Sequence, residues 1–280
     1  MPEPRITVII PCHDDGELLL EAIRSIDEPE PVEIVVVDDG STDKATQAAL
    51  NHVSGAGVKV IRQEGNLGPA AARSAGLEAT RGEYVFPLDA DDLALPGALA
   101  AMADRLEATP EAGVCFGDYE EFGPHVTLRA VAERLDPYRL AYRNDFGAAL
   151  FRRSILEAVG GWSPGGRAAP GYEDWHLWMS LAERGVTGVH MGPGVPTYRR
   201  RIHGNRMLTT DRSRHRMLYK SLRSLHPALF ADLPRHRRRS DLGTLKKLLY
   251  PVLYGGRPRF WLEPRLRIWL HRSGLRPHGR

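Results

Sequence analysis

The chain of 280 residues is 42% hydrophobic and carries 38 Lys and Arg against 35 Asp and Glu, a formal net charge of +3. It is long enough to bury a full core as one large domain, or as one domain with an appendage. Its two cysteines, Cys12 and Cys115, exclude a disulfide framework and lack metal-ligand spacing, and no apolar run approaches the ~20 residues of a membrane span.

The mean charge hides an asymmetry. Residues 1–198 hold 16 Lys and Arg against 31 Asp and Glu, whereas residues 199–280 hold 22 against 4. An acidic body is thus followed by a basic tail. The start leads into a strand pattern without a charged-then-apolar leader, so a cytoplasmic protein is expected.

Residues 6–11 form a β-branched, nearly all-apolar run, as in a strand buried on both faces of a parallel sheet. Pro11 ends it, and Cys12, His13, Asp14, Asp15 and Gly16 form a polar loop. Residues 17–26 place Leu18, Leu19, Ala22, Ile23 and Ile26 at helical spacing. A second buried strand, 33–38, runs into Asp38, Asp39, Gly40, Ser41, Thr42 and Asp43, with a helix over 44–53 and a third strand over 58–61. Residues 65–69 read as a turn, and 70–80 as a small-residue helix carrying Arg73.

Residues 84–88 are a fourth apolar run, leading straight into Asp89, Ala90, Asp91 and Asp92. Three carboxylates so close repel one another, and a cation or water must offset that. Mg²⁺ or Mn²⁺ suits one or two carboxylates together with a substrate's phosphates. Taken alone, the pattern fits a solvated acidic turn before a Pro96-opened helix equally well.

A helix is expected from Pro96 to about residue 108, a strand over 113–118, another over 146–151 and a helix over 153–159. The glycine-rich stretch 160–166 and then Gly171, Tyr172, Glu173, Asp174 and Trp175 precede a helix with Trp175, Trp178, Met179 and Leu181 on its apolar side. Strand–helix alternation at this spacing indicates βαβ units and a doubly wound α/β sheet. In such sheets ligands collect at the carboxyl ends of the strands. The clusters His13–Asp15, Asp38–Asp43 and Asp89–Asp92 all fall there, which brings them to one rim.

Several segments together resemble the family 2 glycosyltransferases of the GT-A fold. They are Val8–Pro11, Val37–Asp43, Asn66–Gly68 with Arg73, Asp89–Asp92, Gly160–Trp162, Glu173–Trp175, and Tyr198, Arg199 and His203. The resemblance spans roughly residues 5–205, and residues 1–205 are expected as the glycosyltransferase domain with a mostly parallel central sheet and flanking helices. It implies transfer of a sugar from a nucleotide diphosphate donor to an acceptor hydroxyl, with inversion.

By that resemblance, Pro11, His13 and Asp15 touch the donor's base and ribose. His13 departs from the aromatic residue frequent there. Asp39 would accept from the base N3–H, favouring UDP or dTDP, and Asp38 would join it or brace the turn. Gly68, Arg73 and Asp89 complete the donor side. Asp89, Asp91 and His203 are the expected ligands of Mn²⁺ or Mg²⁺. Asp174 is the expected general base, with Glu173 as its competitor, although both also suit the start of a helix. Gly161, Trp162 and Trp175 are the expected acceptor side, with core packing the alternative for Trp162. The acceptor would be a glycan, a lipid-linked sugar or a small molecule.

Residues 206–280 form a basic, mainly helical extension. Residues 212–223 suit a helix, Arg235–Arg239 is a basic cluster, and Phe260–Leu262 and Ile268–Leu270 alternate with arginines. Between 235 and 280 the pattern suits an anionic membrane surface better than nucleic acid, and packing on the acidic body is the other reading. Two further readings are a degenerate glycan-binding or scaffold module with the same fold, and a sugar nucleotidyltransferase. The latter would want a Gly-rich basic loop where His13 and Asp14 stand.

Overall fold

A computed structural model describes residues 4–162, 169–202 and 212–254. The β-branched runs do form strands, and the small-residue and amphipathic segments between them do form helices. In chain order the first half comprises β1 (Ile6–Cys12), α1 (Gly16–Arg24), β2 (Val32–Asp38), α2 (Lys44–Gly55), β3 (Lys59–Arg62), α3 (Pro69–Glu78), β4 (Tyr84–Pro87), β5 (Leu93–Ala94) and α4 (Ala98–Glu107). The second half comprises β6 (Ala112–Phe116), β7 (Asp118–Phe122), β8 (Thr127–Arg129), α5 (Pro137–Leu140), β9 (Leu150–Arg152), α6 (Arg153–Val159), α7 (Glu173–Glu183), β10 (Thr187–His190) and β11 (Pro196–Arg201). Four helices follow: α8 (Arg212–Leu225), α9 (Pro227–Ala231), α10 (Leu233–Arg239) and α11 (Thr244–Tyr254).

The strands make a seven-stranded sheet in the order β10-β6-β9-β4-β1-β2-β3. β1 runs parallel to both β2 and β4, β2 to β3, and β10 to β6, while β9 alone is antiparallel to its neighbours. All seven residues of β1 are buried, as expected for a central strand covered on both faces. The core continues through Val35, Phe86, Val114 and Phe151.

A second sheet, in the order β5-β11-β7-β8, was not expected from the sequence. The strand expected over 113–118 divides at Gly117: its first part stays in the large sheet as β6 and its second begins the small one as β7. A Cβ on Gly117 would come within 2.6 Å of the Thr197 side chain, so the chain turns there at a point of close approach. The strand expected over 146–151 is shorter, occupying only Leu150–Arg152.

The helices after β11 lie on the body. Tyr219 donates its hydroxyl to the Ala141 carbonyl at 2.8 Å, Tyr138 to the Lys247 carbonyl at 2.5 Å, and Ser240 to Asp136 at 2.5 Å. His226 Nε2 meets His176 Nδ1 at 2.9 Å, and His226 Nδ1 meets Glu183 at 2.9 Å, tying α8–α9 to α7. Among the described residues no helix is long and apolar enough to cross a membrane.

Candidate active site

The loops after β1, β2 and β4 meet at one rim, as parallel topology requires. Asp14 holds the first two together. Its Oδ1 accepts from the amides of Thr42 and Asp43 at 2.8 and 2.9 Å, while its own amide donates to Ser41. Those two amides hold its carboxyl below the usual value. Its φ of 57° is the one left-handed non-glycine conformation among the described residues. The sequence reading passed over Asp14, and only the shape of the loop singles it out. His13 Nδ1 donates to the Asp39 carbonyl at 3.0 Å, and its Nε2 lies 3.9 Å from Asp14 Oδ2.

Asp38 and Asp39 brace the backbone. Asp38 accepts from the Ser41 amide at 2.9 Å and lies 3.4 Å from Arg62. It is buried, so of its two expected roles the turn brace is the one seen. Asp39 accepts from the amides of Leu67 and Gly68 at 2.7 and 2.8 Å, pinning the loop ahead of α3. Gly68 caps that helix with φ 90°, a conformation that favours glycine. Asp39 is as buried as Asp38, and each of its oxygens takes one of these amides.

α3 delivers Arg73 to the centre. Arg73 is 4% exposed, and its Nη2 donates to Asp89 at 2.6 Å. Nη1 donates to Asp174 at 3.2 Å and lies 3.8 Å from Glu173. Burial alone would lower its pKa, but Asp174, Asp89 and Glu173 together hold it above the ordinary value. One cation facing three carboxylates leaves net negative charge in the cleft.

β4 delivers the acidic loop. The Leu88 amide continues the sheet by bonding to the Ile9 carbonyl, and Asp92 N closes a turn onto the Asp89 carbonyl. Ligand oxygens of Asp89, Asp91 and Asp92 lie within 4.8 Å of one another. Asp92 is buried and accepts from the Arg201 amide at 2.9 Å, and Arg201 Nε donates to the Asp91 carbonyl at 2.9 Å. Burial, then Asp89 and Asp91, raise the Asp92 carboxyl well above its ordinary value. An all-oxygen donor set under such mutual repulsion fits a hard divalent cation. Arg201, at the end of β11, was missed as a partner of this loop. The sequence signal for it was the basic run Tyr198–Arg201. The expected ligand His203 lies outside the described residues.

Glu173 and Asp174 open α7, where carboxylates suit the helix N-terminus. Asp174 is 54% exposed toward the cleft. Its carboxyl is raised by burial of its head, opposed by Arg73, raised again by Asp89, and lowered by a hydrogen bond from Trp162. The open side of the side chain tempers that rise. Glu173 is buried with Oε2 unpartnered, and burial followed by Asp174 raises its carboxyl, Arg73 opposing.

Two acceptor expectations change. Trp162 is fully buried, set edge-on to Phe151, and it supports Asp174 instead of offering a ring face. Trp175 is buried too, its Nε1 donating to the Leu140 carbonyl at 2.7 Å. The Trp175 indole N–H thus takes a partner within the protein, as buried tryptophans do. Gly161, at φ 59°, donates its amide to the Leu156 carbonyl and ends α6. The loop beyond, 163–168, lies outside the described residues.

Comparison with known proteins agrees with this geometry. A family model described as Glycosyl transferase family 2 matches residues 7–160. The succinoglycan biosynthesis protein ExoO of Rhizobium meliloti (strain 1021) is 36% identical over 107 residues, covering 38% of this chain and 30% of that protein. Validoxylamine A glucosyltransferase of Streptomyces hygroscopicus subsp. limoneus is 32% identical over 144 residues, covering 48% and 31%. The matches thus span about a third of these relatives' length. Among solved structures, S. aureus TarS in complex with UDP-GlcNAc superposes with a TM-score of 0.60 at 15% identity, covering 88% of this chain and 78% of that one. A mannosyltransferase from Pyrobaculum calidifontis in complex with GDP-Man and Mn²⁺ gives 0.57 at 20% identity, covering 98% and 81%. At such identities the likeness establishes the fold, the GT-A arrangement.

Proposed function

The chain belongs to glycosyl transferase family 2, and from that premise we propose that it moves a sugar from a nucleotide diphosphate donor to an acceptor hydroxyl, with inversion. The observation that carries the reading is Arg73, which joins the acidic loop to the start of α7 in one cleft. Donor and acceptor can then meet between Asp89–Asp91 and Asp174. Residues 1–205 form the transferase domain in this proposal, and 206–280 an extension.

Pro11 near the end of β1, with His13 and Asp15 on the loop after it, would meet base and ribose. Asp39 is the proposed acceptor for the single imide N–H of uracil or thymine, so UDP or dTDP is the proposed carrier in preference to GDP. Gly68 and Arg73 border the same pocket. Asp89 and Asp91, with His203, are the proposed ligands of Mn²⁺ or Mg²⁺. When bound, such an ion would neutralise charge on the leaving diphosphate.

Asp174 takes the acceptor hydroxyl's proton as that oxygen attacks the anomeric carbon, and the carbon's bond to the diphosphate breaks on the opposite side. A single base facing the leaving group inverts the centre. Arg73 and Trp162 fix the carboxylate, and the raised pKa makes it a better proton acceptor than an ordinary aspartate. Glu173, which is buried, is the less suited of the two. The proposed acceptor is a glycan, a lipid-linked sugar or a small molecule, and an anionic membrane surface is the proposed partner of residues 235–280.

The test is donor turnover. With Mn²⁺ and a panel of nucleotide sugars, a transferase hydrolyses one donor slowly in the absence of acceptor, and NMR of a transfer product shows the inverted anomer. A glycan-binding module of the same fold would leave every donor intact.

A further inference from the structure

α11 has its apolar residues on the wrong side for a helix packed only on its own domain. Leu245, Leu248 and Val252 are 46%, 54% and 49% exposed. At about 100° per residue they fall within about 60° of one another, a single stripe. Tyr250, on the opposite side, is buried against Tyr138. Lys246 and Lys247 lie nearer the Tyr250 side and are partly buried. The helix before it, α10, carries Arg235, Arg237, Arg238 and Arg239, all exposed. Asp232 lies 3.6 Å from Arg235, and Asp241 follows at the turn between the two helices.

We propose that this stripe and the α10 arginines form one docking face for an anionic lipid bilayer. It deepens the membrane part of the proposed function, and the lipid-linked class of acceptor rests on it. Charge decides the occupant. A second copy seated on the same face would bring two arginine clusters together. The chain's own residues 255–280 carry seven arginines and one acid, Glu263, and would meet the same repulsion. Anionic headgroups are complementary to the arginines, and the acyl boundary accepts leucine and valine, which nucleic acid does not. The acidic body, residues 1–198, is repelled by the same surface, so the docked molecule stands on its basic end.

The experiment is co-sedimentation of the full chain at low salt. One set of vesicles is phosphatidylcholine alone, and the other is phosphatidylcholine with phosphatidylglycerol. Two variants are compared with wild type, L245S/L248S/V252S and R235Q/R237Q/R238Q/R239Q. Wild type is expected to pellet with the anionic vesicles only, and each variant to bind at least about tenfold more weakly. Donor hydrolysis in vesicle-free buffer should remain at the wild-type rate in both, which shows that they fold. The proposal is overturned if wild type does not pellet, if the apolar variant pellets like wild type, or if that variant merely turns a dimer into a monomer. Wild type that hydrolyses donor yet does not pellet counts against the face and leaves the transferase reading standing. Wild type that pellets yet hydrolyses no donor does the reverse.

Discussion

Asp89 and Asp174 hold the same guanidinium from two sides. Arg73 Nη2 reaches Asp89 at 2.6 Å, and Nη1 reaches Asp174, 101 residues further along the chain, at 3.2 Å. The strand-end loop and the helix start are therefore walls of one cleft. Both carboxylates stay about half exposed while the arginine is buried, so the acids are open to a ligand and the cation is fixed.

Asp174→Asn is expected to lower kcat by about 10²–10⁴ with donor Kd nearly unchanged, because the amide keeps the shape but cannot take a proton. Single-turnover transfer and calorimetric donor binding separate the two. The wild-type rate should fall as pH drops through the raised Asp174 pKa, placing the acid limb above the ordinary aspartate range.

Arg73→Met keeps the length of the side chain and removes its charge. Loss of one partner of a fully buried pair costs about 3–5 kcal/mol. Asp89 and Asp174 regain water on their open sides and only Glu173 is buried, so the expected loss is on the order of 2–3 kcal/mol, read by urea denaturation. Donor binding and transfer should fall together, unlike in Asp174→Asn.

Asp92→Asn is expected to stabilise the metal-free protein. Its pKa is raised in the fold, so the ionised group costs stability as pH rises through that value. The asparagine carbonyl can still accept from Arg201 and no longer repels Asp89 and Asp91. A gain on the order of 1 kcal/mol at neutral pH, shrinking in saturating Mg²⁺, would appear as a rise in Tm.

The His176–His226 contact makes the fold acid-sensitive. Burial, then the neighbouring His226, lowers His176 to about 4, and burial lowers His226, with Glu183 opposing. The unfolded chain binds more protons than the fold between that value and the ordinary histidine pKa. Stability is therefore lost as pH falls through that window, on the order of 2–3 kcal/mol from His176. His176→Gln should flatten the curve of Tm against pH there.

The first four strands were legible because each is a run of branched apolar residues between short polar loops, and the parallel topology follows from that alternation. The second sheet was not. In β11 and β7 the paired residues are charged, with Arg199 3.1 Å from Glu120 and Arg200 paired with Glu121, so cross-strand ion pairs replace the apolar alternation that marks a strand. Its other strands, β5 and β8, are two and three residues long, below what periodicity detects.

At the site, the motif carboxylates were legible as a group and their division of labour was not. Sequence cannot tell that Asp38 and Asp39 spend lone pairs on backbone amides, since those amides come from loops closed by tertiary contacts. Nor can it tell that Trp162, which follows a flexible-looking glycine pair, turns inward to Asp174. Arg73 was legible as a donor-side residue on a helix of small residues. Its burial among three acids is a property of the assembled cleft.

The most direct measurement is a thermal-shift titration of nucleotide diphosphate sugars with and without Mn²⁺, on wild type and on Asp91→Asn. Binding to the fold raises Tm by mass action. The account predicts one uridine or thymidine diphosphate sugar that raises the wild-type Tm only when the cation is present, and an Asp91→Asn protein that loses that dependence. No cation-dependent shift with any donor, or an Asp91→Asn response equal to wild type, would contradict it.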